Sequence, residues 1–172
     1  MRASPRGSLK PEDRSLVLTP GIRGDDGLSL LSREVAIALR RLQGESSVQV
    51  WSLTDDPHAG DGIRGAGGNR FRFVRWALTE GWAPQPGRRV ITLHAHLLPV
   101  ALPVVQRGAQ LIHFVVGIDA WKPLSTFQAA ALRRAFRVAA ISRHSADEFR
   151  RSNPWFPETE IPTCHPGLSD VE

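Results

Sequence analysis

A single cysteine, Cys164, is present among 172 residues. No disulfide can therefore form within the chain, and nothing ties it to an oxidising compartment. Zinc sites built on cysteine pairs are excluded for the same reason. No HxxxH or HxxE set is present to replace them. Long apolar runs are also missing. None approaches the roughly 18 residues that would mark a membrane helix. The opening stretch MRASPRGSLKPEDR has no apolar core, so it does not read as a secretory signal. No Walker loop, nucleophile elbow or pair of catalytic carboxylates is legible.

What is present fits one globular domain. The hydrophobic fraction is 41% and the charged fraction 23%, both ordinary for a soluble fold. Net charge is +5. That field would favour anionic partners, though an arginine-rich solvated surface gives the same sum. Residues 1–14 read as a disordered basic tail and residues 15–170 as the domain. Short apolar runs are expected to be strands: Ser15–Pro20, Val48–Leu53, Arg89–His94, Leu111–Val116, Val138–Ser142 and Glu160–His165. Between them lie helical patterns. Leu28, Leu31, Val35, Leu39 and Leu42 recur at spacings of three and four. Phe71–Trp82, Leu97–Gln106 and Leu124–Phe136 follow, and Ser145 with Glu148 reads as a capping box that opens a short helix to about Arg151. Asp55–Asn69 reads as a long, mobile glycine-rich loop. Strands apolar on both faces that alternate with helices mean an α/β fold, an open doubly wound and mostly parallel sheet.

GDGIRG, Gly60–Gly65, matches the dinucleotide GxGxxG pattern, but it is misplaced. It does not directly follow the preceding strand, and no helix starts at its end. Gly24, Asp25, Asp26 and Gly27 are better placed, between the first strand and the first helix. Two carboxylates there would repel a phosphate. One of them would cap the helix, and the loop suits a sugar hydroxyl or a plain capped turn equally. His94 and His96 end a strand, where alternation would put both on one side, suited to holding a hydroxyl or handling a proton. His113, between apolar neighbours, reads as a hydrogen-bonded core histidine. Open α/β sheets bind ligands outside the carboxyl ends of their strands. Gly117, Asp119, Trp121 and Lys122 after the fourth strand, and Ser142 and Arg143 after the fifth, therefore join the same edge. For Trp121, packing beneath Pro123 and Leu124 is the alternative.

The segments GDDGLSLLSREVAIALRRL, VITLHAHLLPVAL, VVGIDAWKPLS, VAAISRHSADEF and NPWFPETEIPTCHPGLSD follow one another in order. In that order they resemble the N-terminal domain of family-four retaining glycosyltransferases, which have the GT-B architecture of two Rossmann-like domains across a cleft. The resemblance spans about Ser15–Asp170. It implies a domain that faces a glycan or lipid-linked sugar acceptor. A C-terminal domain would bind the nucleotide-sugar donor, and that half is expected to be missing from this chain, leaving it inactive alone. It further implies no metal, no cofactor beyond the donor substrate and no nucleic acid. The setting would be bacterial polysaccharide or glycolipid assembly, cytoplasmic or peripheral at the inner face of the membrane. Asp119 becomes the candidate catalytic residue. The other edge residues would line the acceptor cleft. The family often has a histidine where this chain has Val116, and His113, three residues back, points to the other face. The alternative is a non-catalytic Rossmann-like module that binds a glycan or a partner. A dinucleotide oxidoreductase is a weaker third reading.

Overall fold

The computed structural model describes residues 14–58, 60–80, 86–117, 121–157 and 160–165. Six strands form one sheet: β1 (Ser15–Thr19), β2 (Val48–Ser52), β3 (Ile63–Gly65), β4 (Arg89–Thr92), β5 (Gln110–Val115) and β6 (Ala135–Ala140). Their spatial order is β3-β2-β1-β4-β5-β6, and every pairing is parallel. This is the doubly wound Rossmann-like order, which reverses direction between β1 and β4. The helices are α1 (Gly27–Gln43), α2 (Arg70–Glu80), α3 (Leu98–Val105), α4 (Thr126–Leu132) and α5 (Arg143–Ser152).

The strands are apolar on both faces because both faces are covered. Alternation in β1 sends Leu16 and Leu18 to one core and Val17 to the other. On the first side lie Phe73, Trp76 and Ala77 of α2, Leu98 and Ala101 of α3, Leu132 of α4 and Phe149 of α5. There Trp51 meets Phe73 and Trp76 edge-on, with ring centroids 6.4 and 5.9 Å apart. On the second side Ala36, with Val35 and Leu39 of α1, covers Val17, Val50, Ile91 and Leu93.

Several boundaries differ from the sequence expectation. Residue 14 was placed in the tail, yet its carbonyl accepts a hydrogen bond from the Arg89 amide at 2.8 Å. Residues 1–13 lie outside the described set, as do Trp82 at the end of the expected second helix and residues 166–170 of the expected domain. The segment read as one long loop, Asp55–Asn69, contains the edge strand β3. Gly65 belongs to it because another backbone passes there: a Cβ would lie 2.2 Å from the Asp56 carbonyl oxygen. The GDGIRG match therefore runs into a strand, and no helix receives it.

α4 stops at Leu132, four residues short of the expected end, and β6 begins at Ala135 rather than Val138. Pairing beside β5 overrides the helix preference of the alanine–arginine run. α4 opens with a capping box that was not expected, Ser125 with Gln128. The box read at Ser145 is not one. α5 starts earlier, capped by Ser142, whose hydroxyl accepts from the Ser145 amide at 3.0 Å, and Glu148 pairs with Arg151 instead. The expected last strand is reduced to a single parallel bridge between Ala140 and Thr163. Pro99 fits α3 because it lies in the first turn, where no intrahelical donor is needed.

Candidate functional site at the carboxyl edge of the sheet

The order reversal between β1 and β4 splays the connections that leave those two strands and opens a crevice at their carboxyl ends. One wall is the β1–α1 loop, and its shape is set by side chains at the ends of β1 and β2 and from the segment just after β2. The Asp55 carboxylate accepts hydrogen bonds from the Ile22 and Arg23 amides, at 2.8 and 3.2 Å, and from the Ser52 hydroxyl. The Thr54 hydroxyl donates to the Pro20 carbonyl at 2.8 Å. The Thr19 hydroxyl donates to the Gly21 carbonyl at 2.8 Å. The Ile22 and Arg23 amides and the Pro20 and Gly21 carbonyls are thus already engaged from inside the chain.

Asp26 is the residue that caps α1. Its carboxylate accepts from the Leu28 and Ser29 amides, both at 3.0 Å, and from the Ser29 hydroxyl at 2.6 Å. These bonds, the Ser29 hydroxyl first, hold its pKa below the ordinary aspartate value. Gly24 makes room for this clasp. A Cβ there would lie 2.7 Å from Asp26 Oδ2 and 2.8 Å from Ser29 Oγ. The helix terminus that cradles pyrophosphate in dinucleotide folds is therefore filled by the chain's own carboxylate. Asp25 and Gly27 are exposed beside it.

The opposite wall follows β4. The strand ends at Thr92, so His94 caps a 3-10 turn, Ala95–Leu97, that carries His96, rather than both lying on the alternating strand expected. They still come together. His94 Nδ1 accepts from the His96 amide at 3.2 Å, and the rings are 4.9 Å apart. Below them, His113 is fully buried and bonds Thr92 Oγ1 through Nδ1 at 2.8 Å. Burial depresses its pKa to about 4, so the ring is neutral, a core group as expected.

A cavity of about 540 Å³ opens between α2 and the β4–α3 connection, lined by Pro20, Leu53, Arg70, Phe73, Val74, His94, His96, Leu97 and Val100; of the first wall only Pro20 reaches it. Its size suits a small ligand. The floor is apolar, and the polar groups are two imidazoles and one guanidinium. Among the described residues no carboxylate lines it. A ligand with an apolar face and hydroxyl or anionic groups at its rim would fit that lining. The contribution of α2, through Arg70, Phe73 and Val74, was not legible from sequence, because residues so distant meet only through the sheet order. A larger cavity, about 630 Å³, sits among Leu132, Phe136, Arg137, Trp155 and Phe156. It lies against the amino-terminal half of edge strand β6, away from the end where such sheets bind ligands.

The remaining edge residues divide. Gly117 closes β5 with a left-handed φ of 54°. Asp119 lies outside the described residues. Trp121 is 53% exposed, not packed beneath Pro123, and its ring stands edge-on to His144 at 6.4 Å. Lys122 and Arg143 are exposed, while the Ser142 hydroxyl is taken by the α5 cap. A residue missed in sequence holds this segment down. Buried Asn153 accepts from the Leu124 amide at 2.9 Å and donates to the Phe149 carbonyl at 3.1 Å and, more weakly, to the Lys122 carbonyl at 3.5 Å. Among the described residues no three His, Cys, Asp or Glu side chains gather as a metal ion would need. No helix among them is long and apolar enough to cross a membrane.

A scan against models of known protein families found no match, and a search of curated proteins found none either.

Proposed function

We propose that this chain is the acceptor-binding domain of a retaining sugar-transfer enzyme, in which a second domain binds the nucleotide-sugar donor. One observation carries the reading: the switch-point crevice holds a ligand-sized cavity while the helix terminus beside it is self-capped by Asp26. A nucleotide needs that terminus for its phosphates. A polyhydroxyl acceptor does not, and it can use the imidazoles of His94 and His96 and the guanidinium of Arg70. The ordered resemblance of the sequence segments supports the same reading. In the reaction, an acceptor hydroxyl replaces the nucleoside diphosphate at the anomeric carbon of the donor sugar. This domain would supply position, holding the acceptor so that the hydroxyl meets the donor in a fixed geometry.

A second reading is a glycan-binding module without catalysis, favoured by a lining whose described polar groups are two imidazoles and one guanidinium, which suit holding a ligand. The test is calorimetric titration of the purified protein with glycosides, lipid-linked sugar analogues, nucleotide sugars and NAD. Acceptor-type sugars should bind and lose affinity in His96→Ala and Arg70→Ala. Tight NAD binding with no glycoside binding would refute both readings. Assays that supply the donor-binding domain then separate them, because transfer supports the enzyme and binding without transfer supports the module.

A further inference from the structure

The larger cavity, about 630 Å³ against the amino-terminal half of β6, is a gap in the outer edge of the sheet. At Ala140 that edge is closed. The Ala140 amide donates to the Pro162 carbonyl at 3.0 Å, and its carbonyl accepts from the Cys164 amide at 2.8 Å. Alternation along the strand turns the amide and carbonyl of Val138 to the same outer side. The next rung would need a donor from residue 162, which is a proline. The ladder therefore stops after one bridge, and among the described residues no backbone hydrogen bond reaches the outer groups of Val138. The lining beside this open edge is apolar and cationic. Trp155 and Phe156 are partly buried, while Phe136 is 59% exposed. The Arg133 guanidinium stands 4.7 Å from the Trp155 ring centroid and that of Arg137 5.9 Å from the Phe136 centroid. Both arginines are exposed, and among the described residues neither is ion-paired, not even to Glu160, the one acid in the lining.

We infer that this groove takes up an extended acidic segment of a partner protein, which joins the sheet as a strand beside β6. Such a segment supplies the donor for the Val138 carbonyl that Pro162 cannot, and it accepts from the Val138 amide. Its alternate side chains would set an apolar group against Phe136 and Trp155 and carboxylates against Arg133 and Arg137. A small anion would meet the arginines but leave the strand edge unpaired. A second copy of this chain is a worse occupant, because pairing β6 with β6 would set arginine beside arginine, and like charges opposed across a strand pair repel. The groove shares no lining residue with the switch-point cavity, so the inference stands apart from the acceptor-domain reading.

The experiment is selection of random phage-displayed peptides against the intact protein, followed by fluorescence anisotropy with the labelled consensus peptide. The consensus should carry acids at alternate positions beside an apolar residue. Arg133→Gln with Arg137→Gln should weaken its binding about 10-fold, the effect of losing two partly exposed ion pairs. Phe136→Ser should weaken it as well. These three side chains are exposed, so unchanged thermal melts are expected and would confirm intact folds. Methylating alternate peptide amides should abolish binding in one phase and spare it in the other, because a strand offers β6 a donor only at every second residue. The proposal is overturned if no consensus emerges, if the consensus lacks acids, if the arginine variant binds it like the parent, or if both methylation phases are tolerated. It is also overturned if light scattering shows a dimer of the parent that Phe136→Ser disperses, since β6 would then be a contact between copies.

Discussion

Replacing His113 by glutamine should flatten a specific part of the pH dependence of stability. The ring is buried and neutral, hydrogen-bonded to Thr92 at 2.8 Å, with a folded pKa of about 4 against an ordinary 6.5. Between those two values the unfolded chain holds a proton that the folded chain cannot accept. Stability is therefore intact above pH 6.5, falls as pH drops through the window, and levels off below about 4. The shift corresponds to about 3 kcal/mol in full, and about 2 kcal/mol by pH 5. Glutamine can still bond the Thr92 hydroxyl but carries no titrating group. The assay is urea unfolding of parent and His113→Gln at about pH 7.5 and pH 5. Carboxylates titrate in both proteins, so the difference between them isolates the histidine. The parent should lose about 2 kcal/mol more than the variant. Equal losses would mean that His113 is not the buried neutral group described.

Asp55→Ala should destabilise the fold by about 1–3 kcal/mol, because the Ile22 and Arg23 amides lose their shared acceptor. Faster amide exchange at those two residues would locate the effect, and unchanged exchange would contradict it. Gly65→Ala should cost about 1–3 kcal/mol or more in chemical denaturation, since its Cβ has no room beside the Asp56 carbonyl. A neutral result would show that β3 does not pass Asp56 as described.

The physical basis of what could be read in advance is visible in particular residues. Strands such as Ser15–Thr19 were legible because every position is buried, which leaves the apolar run Leu16–Leu18 between two small hydroxyl residues. α1 was legible because its apolar positions recur at spacings of three and four and Asp26 sits at its start, although its fully buried positions are Ser29, Ser32 and Ala36 and Leu42 is 66% exposed. β3 was not, because three residues, Ile63–Gly65, carry no period and become a strand only by pairing with β2. The end of α4 was missed for a related reason: the pairing of β6 with β5 decides where the helix must stop. Of the residues named in advance from the rule that ligands meet the carboxyl edge, His94 and His96 line the cavity, while Gly24, Asp25, Asp26 and Gly27 form the helix cap beside Pro20. Arg70, Phe73 and Asn153 were not named in advance. Each acts through a neighbour far away in sequence, as Asn153 does on Leu124, 29 residues back.

The central claim is that a sugar acceptor binds in the switch-point crevice. Mapping backbone amide shifts by NMR during titration with a glycoside tests it most directly. The account predicts perturbations concentrated at Leu53, Arg70–Val74 and His94–Val100, with weaker ones at Gly21–Gly27, and no such set with NAD. Shifts gathered instead around Leu132–Arg137 at the outer edge of the sheet, or at the crevice with NAD and not with glycosides, would contradict it.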